Sequence, residues 1–178
     1  VISDGISGTE ETDEISDDIQ TIEREPVINP ETGEVIADAG DLCIVDIQGT
    51  LGSSAQIGRT QALYDEVSTR DDWVILAAES GDFVQAKGRE VMDGMLEAYG
   101  NNINVVYCEN DDMAYGAIEA IRAAGYTPGS DIGAGEIMVM GFDATKRGLE
   151  MVKSGAMAVD TECTPYYGGR LTHMIKAI

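Results

Sequence analysis

LCIVDIQGTLGSSAQIGR (Leu42–Arg59) is the stretch that decides the fold. Its opening, LCIVDI (Leu42–Ile47), is almost uniformly apolar, the pattern of a strand covered on both faces. A loop rich in glycine and serine follows. From Ser54 to Val67 the apolar positions Ile57, Leu63 and Val67 then fall on one side of a helix. A buried strand, a short polar loop and an amphipathic helix make the first half of a βα unit.

The same unit recurs downstream. WVILAA (Trp73–Ala78), INVVYC (Ile103–Cys108), EIMVMGF (Glu136–Phe142) and the shorter Met157–Thr161 read as further strands. Between them the spacing predicts a helix capped by Asp82 and running to about Tyr99, with Phe83, Val91, Met92, Met95 and Leu96 as its apolar positions. A helix over Asp111–Ala124 stops at Gly125, one over Ala144–Lys153 stops at Gly155, and Gly168–Ile178 also reads as helical. Strands alternating with such helices imply right-handed crossovers. The fold class is therefore α/β: a doubly wound, mainly parallel sheet with helices on both faces. No solenoid-type repeat is present.

Charge divides the chain. The 178 residues carry 33 acidic side chains against 11 Lys and Arg, a net charge of −22. Residues 1–41 hold 13 of the acids and only Arg24 as a base. Within them Gly5–Asp18 reads as a solvated acidic loop, and Glu25–Ile36 as a short hairpin around a Pro-Glu-Thr-Gly turn. Such acidity repels a phosphate backbone and an anionic membrane surface, so nucleic acid is not an expected partner. The plainer role for the acidity is solubility. No apolar run is long enough to insert into a membrane, and no signal peptide is visible. The chain begins at Val1 rather than Met and ends on an amphipathic pattern without a helix stop, as expected of a piece of a longer protein. Its three cysteines, 43, 108 and 163, are neither a disulfide framework nor a zinc pattern, and the first two fall inside strands as small core residues.

In an open parallel sheet the loops that follow the strands share one edge, and ligands bind there. Here they are QGTLGSSAQIGR (Gln48–Arg59), SGDF (Ser80–Phe83), CENDDMA (Cys108–Ala114), MGFDA (Met140–Ala144) and DTECTP (Asp160–Pro165). Arg59 stands one turn into its helix, where the dipole mildly disfavours a cation; it is either a surface arginine or a donor fork for ligand oxygens. Asn110 is either the helix N-cap, a role that it shares as a candidate with Asp111 and Asp112, or an amide that donates to and accepts from a hydroxyl. Asp143 is either a cap or an acceptor for two adjacent hydroxyls. Phe83 and Phe142 occupy equivalent loop positions, as core rings or as flat faces for the C–H side of a sugar. The mixture suits a small neutral polyol. Gly49–Ser54 also resembles a phosphate cradle, but it lacks the Lys-Ser/Thr of a P-loop and the third glycine of a dinucleotide fingerprint. His173, the sole histidine, has no nucleophile pattern to pair with. No acid–base pair, metal cluster or cofactor motif emerges, which favours binding over catalysis.

These stretches resemble the type I periplasmic sugar-binding proteins of ABC transporters, especially the ribose and galactofuranose branch. The likeness covers about Asp41–Pro165 in unbroken order, through IVDIQGTLGSSAQIGR, SGDFVQAKGREVMDGML, VVYCENDDMAYGAIEAIRAAGYTPG, VMGFDATKRGLEMVKSGAM and VDTECTP. It implies two α/β lobes that close on a monosaccharide about a hinge, with residues 41–178 as the C-terminal lobe. Residues 1–40 are then an acidic remnant of the other lobe or of the hinge. Arg59, Asn110 and Asp143 would be polar ligand contacts, Phe83 and Phe142 sugar-facing rings, and Glu162 a further contact. Cys163 stands where the ribose branch has a Gln. The resemblance further implies ABC permease subunits as partners and an extracytoplasmic location, periplasmic or lipid-anchored at the cell surface. The other reading of the same fold is the effector domain of a lac-repressor-type regulator.

Overall fold

The computed structural model describes residues 25–163. The expected acidic loop Gly5–Asp18, the helix Gly168–Ile178, and His173 lie outside them. A short antiparallel hairpin comes first, β1 (Val27–Ile28) and β2 (Val35–Ala37). Its turn is held by the Asn29 side chain, which accepts from the Glu31 and Thr32 amides, and by Gly33 at φ 74. Val27 and Ala37 are buried in the main core, so the hairpin packs on the larger sheet.

That sheet contains β3 (Leu42–Gln48), β4 (Trp73–Ser80), β5 (Val105–Cys108), β6 (Met138–Phe142) and β7 (Val159–Thr161). Their order is β4-β3-β5-β6-β7 and every pairing is parallel. The helices are α1 (Ser54–Val67), α2 (Gln85–Tyr99), α3 (Asp111–Ala123) and α4 (Lys146–Ser154). The step from β3 to β4 runs one way along the sheet, and the remaining steps run the other way. Right-handed crossovers therefore put α1 on one face and the later helices on the opposite face.

Each face has its own core. Met92 and Met95 of α2 and Met113, Ile118 and Ile121 of α3 pack with Val45, Ile47, Val106 and Val139. Two glycines bring α2 and α3 into close contact: a Cβ on Gly116 would lie 2.1 Å from the Gln85 carbonyl, and one on Gly88 2.7 Å from Met113 Cα. On the other face Leu63 and Val67 of α1 pack with Ile44, Val105 and Tyr107. Among the described residues α1 is the only α-helix in this second cluster. Beside it an apolar groove of about 420 Å³ stays open, lined by Leu42, Trp73, Met138 and Met140 among others.

Helix starts follow the capping rules, with one departure from expectation at Asp82 and one open reading decided at Asp143. Ser53 caps α1 and Thr145 caps α4, each side chain accepting from a first-turn amide. Asp82 does not cap α2, which begins only at Gln85; Asp82 and Phe83 instead take left-handed backbone at φ 57 and 61. Asp143 does not cap α4 either, because it lies two residues before Thr145 at φ 106. The strands are also less uniformly apolar than they read. Asp46, in the middle of β3, is fully buried.

Candidate ligand-binding site

The loops after β3 and β5 part in opposite directions, because the crossover reverses between these neighbouring strands. This is the switch point of the sheet, where a crevice opens beyond the strand ends. Arg59 reaches across it from α1. Its Nη1 donates to the Glu109 carbonyl at the end of β5, and its Nη2 pairs with Asp143 Oδ1 at 2.9 Å. The guanidinium carbon lies 4.9 Å from the Phe142 ring centre and 6.0 Å from that of Phe83. Three loops thus meet on one side chain, which is only 12 % exposed. Burial outweighs the neighbouring Arg59 cation and holds the Asp143 carboxyl above its ordinary range.

The Phe83 loop has an unusual backbone. Among the described residues, the non-glycine residues at positive φ are Asp82, Phe83, Asp143 and Ala144, all in two of these loops. Such conformations cost on the order of 1–3 kcal/mol each and persist where surrounding contacts enforce them. For Phe83 one contact is Asn110, whose Nδ2 donates to the Phe83 carbonyl at 3.3 Å. Another is bare backbone: a Cβ on Gly49 would lie 1.9 Å from Phe83 Cζ, so the ring rests where only glycine leaves room.

Asn110 is the cap of α3, accepting from the Met113 amide at 2.9 Å. Of its two readings the capping one is therefore met, although one amide hydrogen and one acceptor position remain beyond these two bonds. Glu162 and Cys163 follow β7 on the same edge and are exposed. Among the described residues no hydrogen bond or ion pair joins their side chains to the Arg59 cluster, whose members are Phe83, Phe142 and Asp143, with Asn110 linked through the Phe83 carbonyl.

Two residues beneath the site escaped the sequence reading. Glu109 is fully buried; its Oε2 accepts from the Gly49 amide at 2.6 Å and its Oε1 from the Thr60 hydroxyl. It fastens the β3–α1 loop to β5 and fixes the turn of α1 that carries Arg59. Burial raises its carboxyl, against the pull of the Gly49 amide, the Thr60 hydroxyl and Arg59. Asp46 lies nearby and accepts from Gln48 Nε2 at 3.2 Å. Burial first and the Glu109 charge second push its carboxyl from 3.8 up to about 7. The one available signal was an acid inside an otherwise apolar run.

The described residues show no group of three or more His, Cys, Asp or Glu able to hold a metal, and no helix long and apolar enough to cross a membrane. The arrangement is a donor fork between two rings beside a carboxylate and an amide, on one edge of an α/β lobe. That is the build of a small-molecule binding lobe.

Comparison with known proteins identifies the family. The family model described as "Periplasmic binding protein domain" matches residues 30–168, and the chain belongs to that family. It is a partial chain of the type I sugar-binding class. It is 37 % identical over 128 residues to the galactofuranose-binding protein YtfQ of Escherichia coli (strain K12), covering 71 % of this chain and 39 % of that protein. It is 33 % identical over 115 residues to the ribose import binding protein RbsB of Salmonella typhimurium, covering 65 % and 36 %. Among solved structures it is similar to the periplasmic binding component of the arabinose ABC transporter from Shewanella sp. ANA-3, bound to arabinofuranose, with TM-score 0.70, 33 % identity, and 78 % of this chain and 44 % of that one covered. A galactofuranose-binding protein gives TM-score 0.68 at 32 % identity, over 77 % and 45 %. The chain therefore spans well under half the length of these relatives.

Proposed function

We propose that this chain is the C-terminal lobe of the solute-binding component of an ABC sugar importer, and that the Arg59 cluster holds a monosaccharide of the galactofuranose, ribose or galactose kind. The observation that carries the reading is Arg59, tied to Asp143 and set against Phe83 and Phe142. Its charge is balanced by the Asp143 carboxylate, so the crevice holds no surplus cation to draw an anionic ligand. Guanidinium donors, a carboxylate acceptor and the Asn110 amide match hydroxyls, and the rings match a sugar's C–H face. Glu162 and Cys163 border the same edge and would contact the sugar's far side.

A second lobe closes over the sugar about a hinge, excludes water and completes the contacts, and the permease subunits recognise the closed form. The location is extracytoplasmic, in keeping with the periplasmic family. The named relatives are binding proteins, two of them described by import or an ABC transporter, and this favours the importer over a DNA-binding regulator or an enzyme.

The test is calorimetry on the full-length protein with galactofuranose, ribose and galactose. At least one should bind, and Arg59→Ala or Asp143→Ala should weaken it by about a hundredfold or more, as loss of a charged hydrogen-bond partner does. Circular dichroism should stay unchanged. Unaltered affinity in both variants would sink the site assignment.

A further inference from the structure

Two carboxyl groups lie beneath the loop that carries Asp143. Asp111 opens α3 and is 1 % exposed, and Asp160 sits in β7. Asp111 Oδ2 accepts from the Thr145 amide at 2.9 Å and from the Tyr115 hydroxyl at 3.2 Å. Asp160 Oδ1 accepts from the Ala144 amide at 3.0 Å. The remaining oxygens, Asp111 Oδ1 and Asp160 Oδ2, are buried without a hydrogen-bond partner. The two side chains are neighbours close enough to act on each other electrostatically. They also converge on Gly148, where a Cβ would lie 2.2 Å from Asp160 Oδ2 and 2.6 Å from Asp111 Oδ2. Two ionised carboxylates so placed repel, and neither can donate to the other.

We propose that Asp111 and Asp160 share one proton, carried on Asp160 Oδ2 and donated to the Asp111 carboxylate, and that this proton locks the Asp143–Thr145 loop onto α3 and β7. It gives Asp160 Oδ2 a partner and removes one of two like charges. The link to the site is short. The same carboxyls hold the Ala144 and Thr145 amides, and the Asp143 amide donates to the Thr161 carbonyl of β7 at 2.9 Å. Burial first, and then the neighbouring Asp111 carboxyl, push the Asp160 carboxyl up to about 6. The titratable groups facing the pair are Tyr115 on α3 and Asp143 in the loop; Arg59 of α1 and Asp112 of α3 stand against Asp143, and Arg147 of α4 against Tyr115. Tyr115 also bonds Thr145 Oγ1 at 2.6 Å, and the Arg147 guanidinium stands 4.0 Å from the Tyr115 ring centre. The lock is closed at acid pH and opens as pH rises through Asp160's raised value.

The consequence for ligand binding rests on the sugar-receptor reading; the proton itself does not. The experiment follows the aspartate carboxyl carbons of the full-length protein by nuclear magnetic resonance from about pH 4 to pH 9, with amide exchange at Ala144 and Thr145 and sugar affinity over the same range. In the wild type, the Asp160 carboxyl should titrate near 6. Protection at the two amides should fall about tenfold across that step, after correction for intrinsic exchange, and affinity should fall with it. Asp160→Asn supplies a permanent N–H donor to Asp111 and should make both profiles flat and protected. Asp160→Ala removes the lock and should make them flat and unprotected. Titration of Asp160 in the ordinary carboxyl range overturns the proposal, as does a protection profile that is the same in wild type and Asp160→Asn. A raised Asp160 titration with pH-dependent protection but no sugar bound at any pH upholds the shared proton and counts against the receptor reading alone.

Discussion

Gly49→Ala tests how the Phe83 ring is seated. The added methyl carbon would stand 1.9 Å from Phe83 Cζ, 2.1 Å from Cε1 and 2.5 Å from Cε2. Carbon atoms pack at about 3.5–4.0 Å, so the overlap is roughly 1.5 Å along the whole ring edge, and a small adjustment cannot absorb it. The ring must swing away, yet its backbone is pinned by Asn110 and already at φ 61. Overpacking of this kind costs about 1–3 kcal/mol, offset by about 0.4–1 kcal/mol from the smaller entropy of the unfolded Ala chain. A net loss of about 1–2 kcal/mol is expected, read as a lower urea midpoint at unchanged slope. Phe83→Ala in the same background removes the obstacle, so the two substitutions should couple by about 1 kcal/mol or more in a double-mutant cycle. If Gly49→Ala unfolds with the wild type, or the two effects simply add, then the ring does not rest on Gly49 and the account of the site is wrong.

Two further outcomes follow from groups beneath the loops. Asp46 has its carboxyl raised to about 7, so its contribution to stability is full below pH 3.8 and is lost as pH rises to about 7. The loss is on the order of 4 kcal/mol, and Asp46→Asn should flatten that part of the profile and leave the variant the more stable above pH 7 in urea titrations. Parallel profiles would refute a buried, proton-hungry Asp46. Asn110→Ala removes both the α3 cap and the donor to the Phe83 carbonyl and should cost about 1–2 kcal/mol, whereas Asn110→Asp keeps the cap and should lose less. Equal losses by chemical denaturation would show that the bond to Phe83, and not the cap, carries the weight.

The sheet was legible in the sequence because its strands are buried apolar runs and its helices have one-sided spacing. α1 and the hairpin fell where they were expected, and Gly155 closes α4 with left-handed backbone at φ 79. One misreading sits at the site, Asp82 as the cap of α2, while Asp143 stood open between cap and acceptor. Asp82 and Asp143 resemble caps because carboxylates usually cap, but both take left-handed backbone that places Phe83 and the Arg59 partner instead. Local propensity cannot show this, since the enforcing contacts come from Gly49 and Asn110 for one loop and from Asp111 and Asp160 for the other. Glu109 was overlooked for the same reason: Gly49 and Thr60, its partners, are about fifty to sixty residues earlier in the chain. Arg59 was visible because its position early in a helix fits a structural role poorly.

Four groups at this edge, Asp46, Glu109, Asp143 and Asp160, have carboxyls raised chiefly by burial. A lobe selected for stability alone would place methyl groups there, since a buried carboxylate with an orphaned oxygen is costly. Asp46 Oδ1, Asp111 Oδ1 and Asp160 Oδ2 are such oxygens, and all three lie under the loops that present Arg59, Phe83 and Asp143. What the carboxyls provide is acceptors. The Gly49, Ala144 and Thr145 amides have no strand or helix partner where the loops turn, and Glu109, Asp160 and Asp111 take them. An apolar floor would leave those amides unpaired and the strained loops free to relax. The site is thus rigid because the ground beneath it is polar. Because each of these folded-state values is raised, the sign is common to all four: rising pH removes stability from the same edge that holds the Arg59 cluster. Loss of site geometry should therefore precede global unfolding as pH rises from about 4 to about 7, with Ala144 and Thr145 amide exchange, corrected for its intrinsic rate, quickening before that of the core amides of β5. Simultaneous loss of protection in loop and core would show that the loops have no independent opening.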